Sequence, residues 1–358
     1  MVAQLGRVFR EEYNETDYML GSVPLTYCLL NTGIWNLVKD VNIVFSENNN
    51  KIEFLDSGTQ SAGNQMGLLK SKDKNLPEGS SETIRQLSNN KFDEWLAGIM
   101  DGDGNFDLRT LNGKEKLKAI RIKLHVRDVR ILNRILDKLH FGRLRFDKNN
   151  KHVMYVISTK EDMTTFCKLI NGSIRLKAES FIRTCKALDL EYKEANYLLE
   201  ENTPYFAGLV DTDGSIFYNY SSNRIECNLE FKLTKYSEKI DFSKVVPNIS
   251  PYIIKRTHKN KSLGKIYYSI AFKYHNAGDM IWIYEYFMKN RLYSDFKFYR
   301  VSKIKEFITI RDYKKAEKNS IEYDIYCSFM LNFIQYKNPT WTRLTYIKYL
   351  LKDKEIVQ

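Results

Sequence analysis

The sequence predicts an α+β protein in which α-β-β-α-β-β-α units form a tandem pseudo-twofold duplication, preceded by an irregular N-terminal extension. Two related nonapeptides indicate the duplication, LAGIMDGDG at 96–104 and FAGLVDTDG at 206–214. Each follows an apolar helical stripe and precedes alternating strands, and 110 positions separate Asp103 from Asp213. A repeat at a fixed spacing restricts the fold more strongly than any single element does.

Composition divides the chain into four segments. Residues 1–90 contain 8 basic and 11 acidic side chains and are rich in Ser, Asn and Gly from position 47 onward. That composition is typical of a linker or a poorly ordered segment. The regular apolar pattern then predicts a first half-domain at 91–195, a second at 203–318 and C-terminal helices at 319–358.

Periodicity assigns the elements of the first half-domain. Apolar residues at i, i+3, i+4 and i+7 predict helices at 91–100, 129–139, 161–170 and 178–190. Strict alternation predicts strands at 105–111, 118–126 and 151–158. Asn112-Gly113 favours a tight turn, so the first two strands are expected to form a hairpin.

The same order of elements recurs in the second half-domain. A helix is predicted at 203–210, where Pro204 suits the first turn. Strands follow at 214–220, 224–234 and 265–274. Further helices are predicted at about 236–246, 276–289, 300–311, 319–336 and 340–352.

Charge points to a polyanionic partner. The chain carries 56 Lys+Arg against 44 Asp+Glu, a net charge of +12, and residues 91–358 hold 48 of the basic and 33 of the acidic side chains. A body this basic favours nucleic acid, although a solvated basic surface would give the same count. Five scattered cysteines without C-x-x-C predict neither a disulfide framework nor a zinc site. No apolar stretch approaches 18 residues, so no membrane partner is expected.

The nonapeptides combine small residues with acids at a helix end. Ala97, Gly98, Ala207 and Gly208 lie inside the predicted helices, where glycine costs about 1 kcal/mol relative to alanine. Small residues there predict that the two helices pack closely against each other. Asp103 and Asp213 would then meet at the helix C-termini, where two carboxylates are unfavourable unless a divalent cation offsets their charge. Oxygen ligands open to water and phosphate suit Mg²⁺ or Mn²⁺.

Two other interpretations of the acids are weaker. A single D-G-D-G is compatible with a simple turn, but two copies in the same context are not explained by it. An EF-hand loop needs Gly at its sixth position and Glu at its twelfth, where this sequence has Phe106 and Asn112. Carboxylates holding metal beside a basic surface instead suit phosphodiester hydrolysis by metal-activated water.

LAGIMDGDG and FAGLVDTDG resemble the two signature motifs of the LAGLIDADG homing endonucleases in their monomeric, two-motif form. The resemblance covers about 91–310. It implies a site-specific double-strand DNA endonuclease whose motif helices form the interface between the halves. Each half is expected to lay a curved antiparallel sheet along the DNA major groove.

The resemblance also implies roles for individual residues. Asp103 and Asp213 match the catalytic, metal-binding acids, whereas Asp101 and Asp211 belong to the structure around the helix end. Lys177 matches a catalytic lysine found late in each half. In the second half Asp295 stands at the aligned position, with Lys297 two residues on. Either Lys297 substitutes or the second active site is weakened, so Lys177→Ala is expected to slow cleavage more than Lys297→Ala.

Side chains that could read bases lie on one face of the predicted strands. Major-groove readout uses Arg, Lys, Asn and Gln projecting from such a face. The candidates are Arg109, Arg121, Lys123 and His125 in the first half, and Asn219, Asn228, Glu230 and Lys232 in the second. A merely solvated sheet face is the alternative for any one of them.

Two alternatives to the nuclease remain. Some members of the family are maturases that bind their own group I intron RNA and assist its splicing, here through basic segments at 297–318 and 335–352. A DNA-binding regulator on the same fold would not need the acids. The Lys-, Asn- and Ile-rich composition hints at an AT-rich genome, and acids early in the chain argue against a transit peptide. We therefore expect a monomer encoded in a mitochondrion, with a plastid as the alternative.

Overall fold

The computed structural model describes residues 81–350, apart from 112, 149–150, 260–265 and 348–349. The prediction of an irregular extension at 1–90 lies, up to residue 80, outside the described residues. The first described helix, α1, runs from Ser81 to Asp103, ten residues earlier than the apolar stripe indicated. In the described part of the chain, no helix has both the length and the apolar character to cross a membrane.

The first half-domain follows α1 with two hairpins and three helices. Its strands are β1 (Gly104–Leu111), β2 (Lys114–His125), β3 (Arg143–Phe146) and β4 (His152–Ile157). Its further helices are α2 (Val129–Leu139), α3 (Lys160–Ile170) and α4 (Ala178–Ala187). The strands form one antiparallel sheet in the order β1-β2-β4-β3.

Alternation along β2 separates the two faces of this sheet. Ile120, Ile122 and Leu124 are buried in the core, whereas Arg121 and Lys123 point to the other face. The register slips between Asp107 and Leu108, so β2 holds one extra residue there, a β-bulge that bends the strand. We call the face away from the core the open face of the sheet.

The second half-domain repeats this plan. It contains α5 (Pro204–Thr212), β5 (Ser215–Asn219), β6 (Arg224–Lys232), β7 (Tyr252–Lys259), β8 (Ile266–Tyr274) and α6 (Met280–Lys289). It closes with α7 (Asp295–Ser302) and α8 (Ile304–Ile310). Its antiparallel sheet has the order β5-β6-β8-β7, which matches strand for strand the order in the first half. The predicted α+β duplication is therefore confirmed.

Two details of the sequence prediction were wrong. No helix forms at 236–246, because backbone groups of this segment bond to the linker before α5; Asp241 accepts from Leu199 N–H and Val245 from Asn202 N–H. The edge strands β3 and β7 had not been assigned. Of the helix predicted at 340–352, positions 348–349 and 351–352 lie outside the described residues; Trp341–Arg343 form a 3₁₀ turn, and 347 and 350 are helical.

A final helix, α9 (Ile321–Gln335), packs against the second half-domain. Tyr326 lies within hydrogen-bonding distance of Tyr218 on β5, with 2.5 Å between the two hydroxyl oxygens. Phe329 stacks on Phe307 of α8. The C-terminal helix is thus part of the core of the second half.

Candidate active site

Helices α1 and α5 touch backbone to backbone at two glycines. A Cβ added to Gly98 would lie 2.2 Å from the carbonyl oxygen of Tyr205, and one added to Gly208 would lie 2.2 Å from that of Trp95. The neighbouring Ala97 and Ala207 are fully buried. Only glycine fits at the crossing, and the contacts are reciprocal, as a pseudo-twofold axis requires.

The acid at the sixth position of each nonapeptide binds a side chain of the opposite helix. Tyr205 on α5 donates its hydroxyl to Asp101, with 2.7 Å between the oxygens, and Trp95 on α1 donates its indole N–H to Asp211 at 3.0 Å. Both carboxylates are buried. These two acids therefore fasten the helix pair together from each side.

Each of these carboxylates also holds a loop that follows in its own half. Asp101 accepts from the backbone N–H groups of Arg175 and Lys177. Asp211 accepts from those of Tyr293 and Ser294. Burial raises the pKa of Asp211 to about 6, while these hydrogen bonds and that from Trp95 act in the opposite direction. Their placement fits the structural role that the resemblance implied.

The acids at the eighth position of the two nonapeptides lie at the same end of the helix pair. Asp103 ends α1 and Asp213 caps α5, and both are partly exposed. The residues just before them touch, because a Cβ on Gly102 would overlap the Thr212 hydroxyl. The fold therefore delivers two partly solvated carboxylates to one end of the interface.

Lys177 lies against the end of α1. Its ammonium donates to the carbonyl oxygens of Met100, Gly102 and Gly104. Burial lowers the pKa of this ammonium, and the negative charges of Asp213, Asp101 and Asp103 oppose that change. The lysine therefore places positive charge near both Asp103 and Asp213.

Lys297, and not Asp295, lies at the corresponding place in the second half. Its ammonium donates to the carbonyl oxygens of Val210, Asp211 and Thr212 at 2.8–2.9 Å. Asp295 turns away and accepts from Arg130 at 2.7 Å and from Lys337 at 3.0 Å. These hydrogen bonds and charges lower the pKa of Asp295 despite the opposing effect of its burial. At the C-terminal end of each motif helix, a lysine ammonium thus donates to backbone carbonyl oxygens.

The candidate base-reading residues of the first half lie on the open face of their sheet. Arg121 donates to Asp107 at 2.8 Å, Arg109 lies 3.4 Å from the same carboxylate, and Lys123 is exposed. His125 accepts the backbone N–H of Arg127. β4 pairs with β2 and β3 pairs with β4, and this register places Arg143 and Arg145 on the same face. Sequence reasoning missed these two arginines, although RLRF alternates as an edge strand should.

The candidates of the second half lie on an open face rich in internal hydrogen bonds. Asn219 donates to Glu226 at 2.9 Å, and Lys232 is exposed. The Asn228 side-chain oxygen is buried with no hydrogen-bond partner among the described residues. Glu230 accepts from Arg256 at 2.9 Å and lies 3.1 Å from His258. Arg256 and His258 were missed because the strand that carries them, β7, was not assigned.

The acid pair fits a hard divalent cation. Carboxylate oxygens that are partly open to solvent are the donors that Mg²⁺ and Mn²⁺ prefer. Across the described residues, no group of three or more His, Cys, Asp or Glu side chains is placed to hold a metal ion. A cation at Asp103 and Asp213 would therefore draw its other ligands from water and from a bound phosphate.

This fold and site define a class of protein: two pseudo-symmetric α+β halves joined by glycine-packed helices that end in paired acids. The family model described as LAGLIDADG endonuclease matches residues 96–188, from the first nonapeptide to the end of α4. The resemblance seen in the sequence is confirmed over this stretch. The second half carries the second nonapeptide and the same strand order.

The chain is also similar to intron-encoded proteins. It is 31% identical over 198 residues to the intron-encoded RNA maturase bI4 of Saccharomyces cerevisiae. The matched region covers 52% of this chain and 30% of that protein. The chain therefore spans less than a third of that relative's length. It is 25% identical over 241 residues to the intron-encoded DNA endonuclease ai2a of Dictyostelium discoideum, covering 66% of this chain and 73% of that protein.

Among solved structures, the chain is similar to the I-LtrWI LAGLIDADG homing endonuclease bound to target DNA. The match has 11% identity and a TM-score of 0.46, and it covers 69% of this chain and 96% of that one.

Proposed function

We propose that this protein is a site-specific double-strand DNA endonuclease that hydrolyses phosphodiesters with Mg²⁺ or Mn²⁺ and promotes mobility of its intron. The observation that carries the proposal is the pairing of Asp103 and Asp213 at one end of a glycine-packed helix pair. A structural role alone does not explain why two acids are gathered there, because like charges at helix C-termini repel. The family match and the similarity to an intron-encoded DNA endonuclease support it.

Each group at the site has a defined task in this proposal. Asp103 and Asp213 hold divalent metal, which supplies an activated water and Lewis-acid stabilisation of the phosphate when bound. Lys177 and Lys297 place positive charge at the ends of α1 and α5, where the attacked phosphate gains negative charge. Gly98 sets the spacing by letting the two helices touch.

The open faces of the two sheets are proposed to contact the DNA. Their opposite faces are filled by the core, so only these faces can meet a ligand of that size. Arg, Lys and Asn side chains on strands suit the major groove. The proposed contacts are Arg109, Arg121, Lys123 and His125 in the first half, and Asn219, Asn228 and Lys232 in the second.

Cleavage of the host gene tests the proposal. The protein is incubated with DNA of that gene lacking the intron, with Mg²⁺, with Mn²⁺, or with a chelator. We expect cleavage of both strands at one site only with metal, by a monomer in solution. Asp103→Asn and Asp213→Asn should abolish it while DNA binding persists. If the wild-type protein with metal cuts no such DNA, or if either variant cuts normally, the nuclease proposal fails.

A second candidate function is assistance to splicing of the protein's own group I intron RNA. The similarity at 31% identity to an intron-encoded RNA maturase favours it. The Lys-, Asn- and Ile-rich composition also suits an AT-rich mitochondrial intron. Splicing would use basic surface residues rather than the acids, so Asp103→Asn should leave it unchanged. Splicing of precursor RNA, with and without protein, decides the matter, and an unchanged splicing rate with protein present rejects this candidate.

A further inference from the structure

A buried hydrogen bond crosses from the first half-domain to the second close to the candidate active site. The Ser294 hydroxyl, just before α7, donates to the Asp128 carboxylate, just before α2, with 2.6 Å between the oxygens. Ser294 is fully buried and Asp128 is 6% exposed. A hydrogen bond to a charged group is stronger than one between neutral groups, and its loss in a buried place is costly. The other oxygen of the Asp128 carboxylate lies 3.5 Å from the Arg127 guanidinium.

A second polar contact lies beside the first. Arg130 of α2 forms an ion pair with Asp295, the first residue of α7, and Lys337 binds the other oxygen of the same carboxylate. This pair is partly exposed, so it is expected to contribute less than the buried bond. Together, Asp128 and Arg130 hold the start of α7 from the other half of the molecule.

The position of Lys297 depends on the start of α7. Ser294 precedes this helix, and its carbonyl accepts the first helical hydrogen bond from Phe298 N–H at 2.9 Å. Lys297 lies within that turn and reaches the end of α5 from it. On the other side, Ser294 N–H is held by Asp211 at 2.8 Å. Ser294 is therefore fixed between Asp211 of its own half and Asp128 of the other.

The first half supports Lys177 through different contacts. The residue just before α4 is Lys177 itself, whereas the residue just before α7 is Ser294. Arg175 in the loop before α4 donates to the carbonyls of Asn196 and Ser173, and Tyr197 donates to the Arg175 carbonyl. The Arg175 guanidinium also lies 4.3 Å from the ring centroid of Tyr205 on α5. The two lysines therefore differ in what supports them.

We propose that Asp128 and Ser294 are positioning residues for Lys297, so that the first half-domain holds the second lysine in place. The inference rests on the proposed nuclease function for its kinetic consequence. Because each lysine lies at its own motif helix, loss of this support affects the strand served by Lys297 and spares the other.

Strand-resolved cleavage tests this. Each strand of the target duplex is labelled separately, and single-turnover rates are measured for Ser294→Ala, Asp128→Ala and Lys297→Ala. We expect Ser294→Ala and Asp128→Ala to slow, by about tenfold to a hundredfold, the same strand that Lys297→Ala slows. Nicked DNA should accumulate. Asp128→Asn keeps an acceptor oxygen and should restore most of the rate. Ser302→Ala, at the exposed end of α7, is the matched control and should leave both rates unchanged.

Equal slowing of both strands, or slowing of the strand that Lys297→Ala spares, would overturn the proposal. Hydrogen exchange supplies a readout that does not need cleavage. Ser294→Ala should raise amide exchange in 295–302 and leave 178–187 unchanged, and the opposite pattern rejects the support role. If the wild-type protein cuts no DNA but exchange changes as expected, the nuclease proposal fails while the support of α7 stands. If Asp128→Ala does not fold, Ser294→Ala carries the test.

Discussion

The open faces of the two sheets share strand order and differ in charge. Basic side chains dominate the first, where Asp107 is the acid that binds Arg121. The basic residues there are Arg109, Lys116, Arg121, Lys123, Arg143 and Arg145. On the second, Glu226 and Glu230 form ion pairs with Arg224 and Arg256, and Glu226 is only 3% exposed. A duplicated backbone can therefore keep its topology while its two faces acquire different chemistry.

Under the proposed function, we expect the two faces to contribute to DNA binding in different ways. The first face attracts phosphates through its excess of positive charge, a contribution that is sequence-independent and falls with salt. The second face holds its charges in hydrogen-bonded positions, which favours reading of base edges over general attraction. The helix interface and the lysines, in contrast, are nearly the same in both halves.

The largest expected effect concerns the helix interface, which is nearly the same in both halves. Gly98→Ala and Gly208→Ala each put a Cβ 2.2 Å from a backbone carbonyl oxygen. Each is expected to destabilise the protein by about 3 kcal/mol or more, because backbone cannot move aside cheaply. Denaturant unfolding measures the loss. Gly278→Ala, where a Cβ meets nothing within 4 Å, is the control. A cost under about 1 kcal/mol at either glycine would contradict the symmetric contact.

The next effect concerns the two lysines. Lys177→Ala and Lys297→Ala should each slow cleavage of one strand by about a hundredfold, since each removes a positive charge beside the reacting phosphate. This revises the sequence-based expectation that Lys177 matters more, because both lysines reach the end of a motif helix. Single-turnover rates on labelled strands measure it. If Lys177→Ala is slower than Lys297→Ala by about tenfold or more, the earlier ranking is restored; a difference of that size in the opposite direction would contradict both expectations.

A smaller effect distinguishes the two sheet faces. Lys123→Ala should reduce the slope of log affinity against log salt by about 1, because one phosphate contact is lost. Arg256→Ala should leave this slope nearly unchanged, since Arg256 is neutralised by Glu230. Fluorescence anisotropy with nonspecific duplex DNA gives both slopes. Lys138→Ala, on an exposed part of α2, serves as the control, and equal slopes for Lys123→Ala and Arg256→Ala would remove the distinction.

The smallest effect contrasts two matching positions of the paired helices, Asp93 inside α1 and Thr203 at the start of α5. Burial, with Glu94 beside it, raises the pKa of Asp93 to about 6, whereas the matching Thr203 caps α5. A raised acid pKa means that the folded state binds more protons, so the free energy of unfolding falls as pH rises from about 4 through 6. Asp93→Asn should remove this decline and add on the order of 1 kcal/mol at pH 7. Unfolding measured between pH 4 and 7 tests it, with Asp137→Asn, exposed on α2, as control. An unchanged pH dependence would contradict the assignment.

The spacing of small residues and acids predicted much of the site. Gly98 and Gly208 could be assigned to a helix crossing, because glycine inside a helix is costly without a close neighbour. Asp103 and Asp213 followed from the repeat. The sequence did not indicate that Trp95 and Tyr205 bind the acids of the opposite helix, since nothing in local periodicity pairs residues 116 or 104 positions apart.

The sequence by itself determined the duplication, the motif helices and the acids at their ends, because these depend on local periodicity and on a repeat within the chain. Tertiary structure decided which second-half residue corresponds to Lys177. Position counting selected Asp295, but the loop before α7 bonds to Asp211 through residues 293 and 294. The helix that follows then turns Asp295 toward Arg130 and brings Lys297 to the end of α5. A side chain's reach depends on where its helix begins in space, which counting along the sequence does not contain.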